Sequence, residues 1–419
     1  MRSSTARGTV TAPPSKSYTH RAIVLGALTH ERFVLRNALV SDDTKATVEA
    51  LEAMGADVGA SAAQLRVQCD QLKPPRRVID ARNSGTTIRL MSGIASLLDS
   101  PVTLTGDSSL VRRPMSPLVD ALSQLGATCE YIGQAGRPPL KVHGPITGPK
   151  AEIEGGVSSQ FVSSLLIACT HKRTGTDLVV NGGIASRPYV DITLEMLRQF
   201  GADVKESQSG FSIRGDQRLK KDSYTVPGDY SSAAFLLAAA AITDGSVTVR
   251  KLDQDTAQGD KRITEHLRAF GAKVSSTPRA VTVSGGRLAG AEIDVGDTPD
   301  LFPVLAVVGA VSEGKTTLRG GGNLRAKESD RIATTTEFLQ DMGARIRPRE
   351  DGCEIIGVPK LTGTHVETQG DHRILMAATV AALVSGTETV IEDDESFKIS
   401  YPGFVRDLHQ LGCRVEVRK

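Results

Sequence analysis

The sequence predicts an α/β fold of repeated units gathered into two similar domains. Two recurring signatures carry this prediction. The first is an apolar residue, two variable residues, a second apolar residue and then Gly-Ala or Gly-Cys. Its six copies run from Leu51 to Ala56, Leu122 to Ala127, Leu197 to Ala202, Leu267 to Ala272, Leu339 to Ala344 and Leu408 to Cys413. The glycines at 55, 126, 201, 271, 343 and 412 are spaced by 71, 75, 70, 72 and 69 residues. The second signature lies upstream of each copy: an Ala/Leu-rich helical stretch, a short turn and an alternating strand, as in FLLAAAAITDGSVTVRKL and VAALVSGTETVIED.

Each element has a local reason. Apolar residues three apart mark the last turns of an amphipathic helix. A glycine directly after them suits the left-handed position that ends a helix. The apolar residue three positions further on (Val58, Cys129, Val204, Val274, Ile346 or Val415) then begins a strand. Each unit therefore holds two helices, the more apolar one buried, and several strands. Three units precede the middle of the chain and three follow it, with Tyr224-Thr225-Val226-Pro227-Gly228 as the crossing between domains.

Bulk properties set limits on function. The 419 residues suit two large domains, and 39% hydrophobic with 23% charged residues is the balance of a soluble globular chain. Lys and Arg number 50 against 48 Asp and Glu, which argues against a general nucleic-acid binder while permitting a local basic site. The five cysteines (69, 129, 169, 353 and 413) contain no C-x-x-C pair, which fits buried free thiols in a reducing compartment. The longest apolar run, Ala233 to Ile242, is about half of a membrane span. The N-terminal MRSSTARGTV has no signal-peptide core, so the expectation is a complete cytoplasmic protein.

The unusual residues gather at the starts of the six buried helices. These read Ser15-Lys16-Ser17, Asn83-Ser84-Gly85-Thr86-Thr87, Ser158-Ser159-Gln160, Asp229-Tyr230-Ser231-Ser232, Asp297-Thr298-Pro299-Asp300 and Asp371-His372-Arg373. Asp229 and Asp297 read as plain N-caps. Capping does not account for Lys16, Arg373 and the nearby Arg21 and Arg89, because a cation in the first turn opposes the helix dipole. Such cations are expected where an anion binds. Symmetry would bring three starts together in each domain, giving two anion-binding faces opposed across a cleft. Further basic clusters are Arg112-Arg113-Pro114 and the run from Arg325 to Arg331, where Lys327 and Arg331 form a like-charged i,i+4 pair that a ligand anion would relieve.

Several chemistries find no support. Gly309 to Thr316 matches the P-loop pattern letter for letter, yet the repeat register places a helix before Gly314 and a strand after it, the reverse of a P-loop. The histidines and cysteines show no metal-site spacing, and there is no G-x-S-x-G elbow.

Together, Pro14-Ser15-Lys16-Ser17 with Arg21, Asn83-Ser84-Gly85-Thr86 with Arg89, Val157-Ser158-Ser159-Gln160, Ser186-Arg187-Pro188-Tyr189, Lys327-Glu328-Ser329-Asp330-Arg331 and Asp371-His372-Arg373 resemble the 5-enolpyruvylshikimate-3-phosphate synthase family over essentially the whole chain. The resemblance implies two domains of three βαβαββ units each (an inside-out α/β barrel), spanning 14–227 and 1–13 plus 228–419. It implies enolpyruvyl transfer from phosphoenolpyruvate to shikimate-3-phosphate without a cofactor, in a monomer with no membrane or nucleic-acid partner. By position, Lys16, Ser17, Arg21, Ser158, Ser159, Gln160, Ser186 and Tyr189 would contact shikimate-3-phosphate. Gly85, Arg113, Arg331 and Arg373 would contact phosphoenolpyruvate, with Lys16 and Gln160 reaching both ligands and Arg89 beside them. Asp300, Asn323, Lys327 and Glu328 would join from the other domain, with Asp300 and Glu328 as proton shuttles assisted by Lys16 and Lys327.

The chain departs from the family pattern at two places. Ile399, with Lys398 before it, precedes Ser400-Tyr401-Pro402 where members often carry Lys. Leu90 stands where many members have the Pro that bears on glyphosate sensitivity. A sister family, UDP-N-acetylglucosamine enolpyruvyl transferase, usually has a Cys where Ser108 stands. A non-catalytic anion- or RNA-binding module would explain the cations but not Asp300 and Glu328 among them.

Overall fold

The computed structural model describes residues 3–61, 64–393 and 395–418. The chain divides into two compact halves, Pro14–Val226 on one side and Met1–Pro13 with Pro227–Lys419 on the other.

In the first half, three repeats follow one another. They hold α1 (Lys16–Ala27) with α2 (Asp42–Ala53), α3 (Gly85–Ala95) with α4 (Ser116–Gln124), and α5 (Ser159–His171) with α6 (Pro188–Gln199). Each repeat carries a four-stranded sheet. In the second, Ile79–Asp80 runs parallel to Val102–Thr105, which pairs antiparallel with Leu140–His143, itself antiparallel to Thr128–Tyr131. The first repeat takes its parallel strand from the far end of the half: Ser223–Thr225 pairs with Phe33–Arg36, placing Tyr224 opposite Leu35. The half is thereby closed on itself. α1, α3 and α5 are buried over most of their length, and α3 packs against both α1 and α5.

The second half repeats this plan with α7 (Tyr230–Ile242), α8 (Ile263–Ala269), α9 (Phe302–Ala310), α10 (Arg331–Asp341), α11 (His372–Ala382) and α12 (Phe404–Gln410). Its first parallel strand is N-terminal: Arg7–Thr11 lies along Ser246–Arg250, with Val10 opposite Val249. α7, α9 and α11 pack on one another around Phe235, Leu236, Phe302, Leu305 and Met376. Burying each of these side chains stabilises the fold by about 1.5–3 kcal/mol. The runs of alanine in α7 supply no bulk, so the helix backbones can approach closely.

All six repeat glycines adopt left-handed φ, at 93°, 101°, 84°, 97°, 84° and 81° in chain order, and each ends the outer helix of its repeat. The P-loop look-alike runs from the last turn of α9 (Gly309 and Ala310) into the strand Lys315–Arg319, the order opposite to a phosphate-binding loop. Asp229 is an N-cap, accepting from the Ser232 N–H at 2.8 Å.

Four sequence expectations are corrected. The sixth repeat has a two-stranded sheet, His365–Glu367 with Val390–Glu392, and Val415 does not begin a strand. Elsewhere the strand after the glycine pairs with the strand that follows it, as Lys273–Thr277 does with Ala280–Ser284, and no such strand follows Val415 among the described residues. Asp297 caps no helix. A 3-10 turn, Pro299–Leu301, begins after Thr298, because Pro299 and Pro303 suit first-turn positions where no N–H is needed. The run from Arg325 to Arg331 is not one charged helix. A 3-10 turn (Gly322–Ala326) ends at an extended Lys327, and Asp330 caps a new helix, so the like-charged pair never forms on one helical face. Of the five free cysteines, Cys129 is only partly buried. Among the described residues no helix is long and apolar enough to cross a membrane.

Candidate active site

In the first half, the starts of α1, α3 and α5 each bring polar residues to one region. Gly85 opens α3, and a Cβ built on it would meet Arg113 Nη1 at 3.1 Å, Arg89 Nη1 at 3.4 Å and Gln160 Oε1 at 3.7 Å. Three residues from three different segments therefore line this position, and an added methyl group would press on the Arg113 guanidinium. Arg89 donates to Gln160 Oε1 at 2.5 Å and lies over the Phe161 ring at 5.1 Å, while the Gln160 amide donates to Thr86 Oγ1 at 2.9 Å. Arg113 is fixed from below by Asn83 Oδ1 at 3.0 Å and Ser109 Oγ at 3.2 Å.

Lys16, in the first turn of α1, pairs with Asp43 at 2.9 Å. Asp43 offsets part of the unfavourable helix-dipole term, and the backbone oxygen of Asp43 accepts from Thr87 Oγ1 at 3.3 Å, which ties this pair to α3. Sequence reasoning missed Asp43, because Ser41-Asp42-Asp43-Thr44 reads as an ordinary helix start and indeed forms a capping box. Ser15, at the N-cap of α1, makes no side-chain cap hydrogen bond.

Arg21 is 1% exposed and works inside the protein. Its guanidinium donates to Thr193 Oγ1 (2.7 Å), Ser163 Oγ (3.2 Å) and the backbone oxygens of Ser17 (2.9 Å) and Tyr189 (3.0 Å). It thus sets the backbone that carries Ser17 and Tyr189. Beside it, burial and the cations Lys16 and Arg21 push the His20 imidazole well below its usual range, so it stays neutral and bonded to Thr47 Oγ1 at 2.7 Å. Ser158 caps α5, with Ser159 and Gln160 following in its first turn. Ser186, just before α6, holds a left-handed φ of 54°, a strained state for serine of the kind that clusters at functional sites.

In the second half, Arg331 is the centre of a buried ion cluster and is 1% exposed. Its Nε and Nη2 donate to Asp371 at 2.9 and 3.2 Å, its Nη1 to Asp300 at 2.8 Å, and its Nη2 to Glu328 at 2.7 Å. Asp371 also caps α11 through the Arg373 N–H at 2.9 Å and accepts from Ser329 at 3.0 Å. Arg373 Nη2 reaches Asp300 Oδ2 at 3.1 Å. Burial alone would raise the Asp300 carboxyl, but Arg373, Arg331 and Lys327 outweigh it and hold Asp300 ionised, well below the usual carboxylate range. The Arg331 guanidinium is likewise locked in its charged form, since Asp371, Glu328 and Asp300 overcome its burial. Asn323 sits in the 3-10 turn leading to Lys327 and Glu328. Three carboxylates, Asp371, Asp300 and Glu328, surround Arg331. Two of these partners lie 31 and 40 positions away in the chain, too far for any local pattern to reveal them.

The comparisons with known proteins agree across the full length. The model of the family described as EPSP synthase (3-phosphoshikimate 1-carboxyvinyltransferase) matches residues 2–408. A 3-phosphoshikimate 1-carboxyvinyltransferase of Methanothrix thermoacetophila is 47% identical over 416 residues, covering 98% of this chain and 97% of the relative. One from Methanocella arvoryzae is 46% identical over 414 residues with the same coverage. Among solved structures, an EPSP synthase from Acinetobacter baumannii superposes with a TM-score of 0.83 at 30% identity, covering 100% of this chain and 98% of that one. The chain belongs to the EPSP synthase family.

Proposed function

We propose that the protein transfers the enolpyruvyl group of phosphoenolpyruvate to the 5-hydroxyl of shikimate-3-phosphate and releases phosphate, a step toward chorismate. The observation that carries this reading is the crowding of Arg113, Arg89 and Gln160 around Gly85, inside a chain whose family is shared over its whole length. Lys16, Ser17, Ser158, Ser159, Gln160, Ser186 and Tyr189 are assigned to shikimate-3-phosphate, with Arg21 holding the backbone of Ser17 and Tyr189. Gly85, Arg113, Arg331 and Arg373 are assigned to phosphoenolpyruvate, where guanidinium forks suit its carboxylate and phosphate. Asp300, Asn323 and Lys327 complete the shikimate-3-phosphate set.

In the addition step, the 5-hydroxyl oxygen bonds to C2 of phosphoenolpyruvate, its proton leaves, and the methylene carbon gains a proton. In the elimination step, the bond from C2 to the phosphate oxygen breaks and the new methyl loses a proton, restoring the double bond. Asp300 and Glu328 are the carboxylates assigned to these transfers. Each positioned acid or base contributes roughly 10²–10⁴-fold. An ionised Asp300 can accept a proton but is weakened as a base while two arginines neutralise it. A substrate anion drawing Arg373 away would raise the Asp300 carboxyl toward the working range, coupling binding to catalysis.

The test is phosphate release from phosphoenolpyruvate with shikimate-3-phosphate or UDP-N-acetylglucosamine as acceptor. Release with the first alone, with a product carrying the enolpyruvyl group, supports the assignment. Release with the sugar nucleotide alone moves the chain to the sister activity, and no release with either acceptor rejects both.

A further inference from the structure

His20 is a buried titratable group that the reaction outlined above does not use. It lies on α1, and its Nδ1 stands 2.7 Å from Thr47 Oγ1 on α2. Thr47 Oγ1 is in turn 2.7 Å from Thr87 Oγ1 on α3. Thr87 sits at a branch. Its hydroxyl donates to Ser84 Oγ at 2.8 Å and to the backbone oxygen of Asp43 at 3.3 Å. Ser84 is the N-cap residue directly before Gly85, and the Asp43 carboxylate pairs with Lys16 at 2.9 Å. The chain of bonds therefore runs from a ring on α1, across α2, to the segments that carry Gly85 and the partner of Lys16. His20, Thr47, Thr87 and Ser84 are each 0% exposed, so bulk water does not compete for these bonds.

Counting protons fixes the direction of the chain. Both branches from Thr87 draw on its single proton, since a backbone oxygen can only accept. Thr47 must then donate to Thr87 and accept from His20, which places the ring proton on Nδ1. Nε2 is left as a bare lone pair, and it has no hydrogen-bond partner among the described residues. The opposite tautomer would bury an N–H with nothing to receive it, the costlier arrangement. A second ring proton would meet the same lack, beside the cations Lys16 and Arg21.

We propose that Thr87 is a positioning residue for Lys16 and Gly85, its one hydroxyl holding the Asp43 backbone and the Ser84 cap together, with His20 setting the direction of the hydroxyl chain. The proposal rests on the assignment of Lys16 to both substrates and of Gly85 to phosphoenolpyruvate. Lys16 is in the first turn of α1 and Gly85 opens α3, so the two reach shared ligands from different helices. Apolar packing is non-directional and leaves such helices free to slide by fractions of an ångström, whereas hydrogen bonds fix their register. A misplacement of about 1 Å costs catalysis about 100-fold.

The experiment compares Thr87→Val with Thr87→Ser, measuring kcat, both KM values and the melting temperature. Thr87→Val keeps the shape but loses the hydroxyl, so kcat should fall by about tenfold or more. Thr87→Ser keeps the hydroxyl and should recover kcat to within about threefold of wild type. In the Asp43→Asn background, Thr87→Val should cost kcat no more than about twofold further, because both changes act through Lys16. Gly201→Ala, which strains the backbone away from this chain of bonds, should leave kcat within about twofold. An unchanged kcat in Thr87→Val, an equal loss in Thr87→Ser or Gly201→Ala, or full multiplication with Asp43→Asn overturns the proposal.

Two measurements need no substrate. Acylation of lysines, mapped by mass spectrometry, should find Lys16 reacting about threefold faster in Thr87→Val, once its carboxylate partner is displaced. Buried Lys172 should stay unreactive as the check on folding, and an unmoved Lys16 rate is fatal. In the wild type, nitrogen NMR of the imidazoles should find His20 neutral with its proton on Nδ1. A proton on Nε2 would reverse the chain, draw the Thr87 proton toward Thr47 and overturn the proposal, even if Thr87→Val does not fold. Failure of the wild type to turn over would sink the functional assignment, while Lys16 reactivity and the His20 tautomer would still judge the positioning.

Discussion

Gly85 and Arg331 show how much a single residue can carry. A methyl group at 85 would press on Arg113 Nη1 at 3.1 Å and on Arg89 Nη1 at 3.4 Å, both ends of flexible side chains that can yield by tenths of an ångström. Gly85→Ala should therefore raise the KM for phosphoenolpyruvate by about tenfold, with the melting temperature within about 2 °C of wild type. A large drop in melting temperature would mark Gly85 as a packing residue instead. Arg331→Met should behave differently, removing the cation shared by Asp371, Asp300 and Glu328 and leaving Asp300 with Arg373. The expected cost is about 3–5 kcal/mol in urea unfolding at neutral pH. The sign with pH follows from the depressed Asp300 carboxyl. Its stabilisation is present above the ordinary carboxylate range and lost as pH falls below it, so the gap between wild type and variant should narrow in acid.

Elements in this fold are set by short-range chemistry repeated six times. Gly201, which follows α6, tests this cleanly: its φ is 84° and nothing lies within 4 Å of a built Cβ. Gly201→Ala should cost about 1 kcal/mol through backbone strain alone, read as a lower urea midpoint with unchanged slope. No loss would mean that the position is not held left-handed in solution. The same glycine logic makes the ends of the outer helices legible in the amino-acid sequence. It fails where a strand needs a neighbour, at Val415, because pairing is a property of two segments and not of one.

Closure of each half depends on segments far apart in the chain. Ser223–Thr225 completes the sheet of the first repeat, 187 positions or more beyond Arg36. A fragment of residues 14–226 should fold cooperatively on its own, whereas one ending at Asp222 should lose that transition in circular dichroism melts. Equal melts for both fragments would show that strand pairing at 223–225 contributes little.

What the sequence determined by itself was everything local or periodic. The repeat, its glycine-ended helices, the reversed P-loop look-alike and the cations at helix starts follow from spacing, dihedral preference and the helix dipole. Lys16, Arg21, Arg89 and Arg373 stood out because ordinary capping does not explain them, whereas Gly85 and Gln160 were marked only by the family resemblance. The tertiary structure alone decided which charges meet. Nothing in the spacing of Asp371 and Asp300 marks them as partners of Arg331, although Glu328 lies only three residues before it, and Asp43 hid within an ordinary capping box beside its distant partner Lys16. The reason is physical: capping and turn formation act over a few residues, whereas the pairing of a buried charge is settled only when packing removes water from around it.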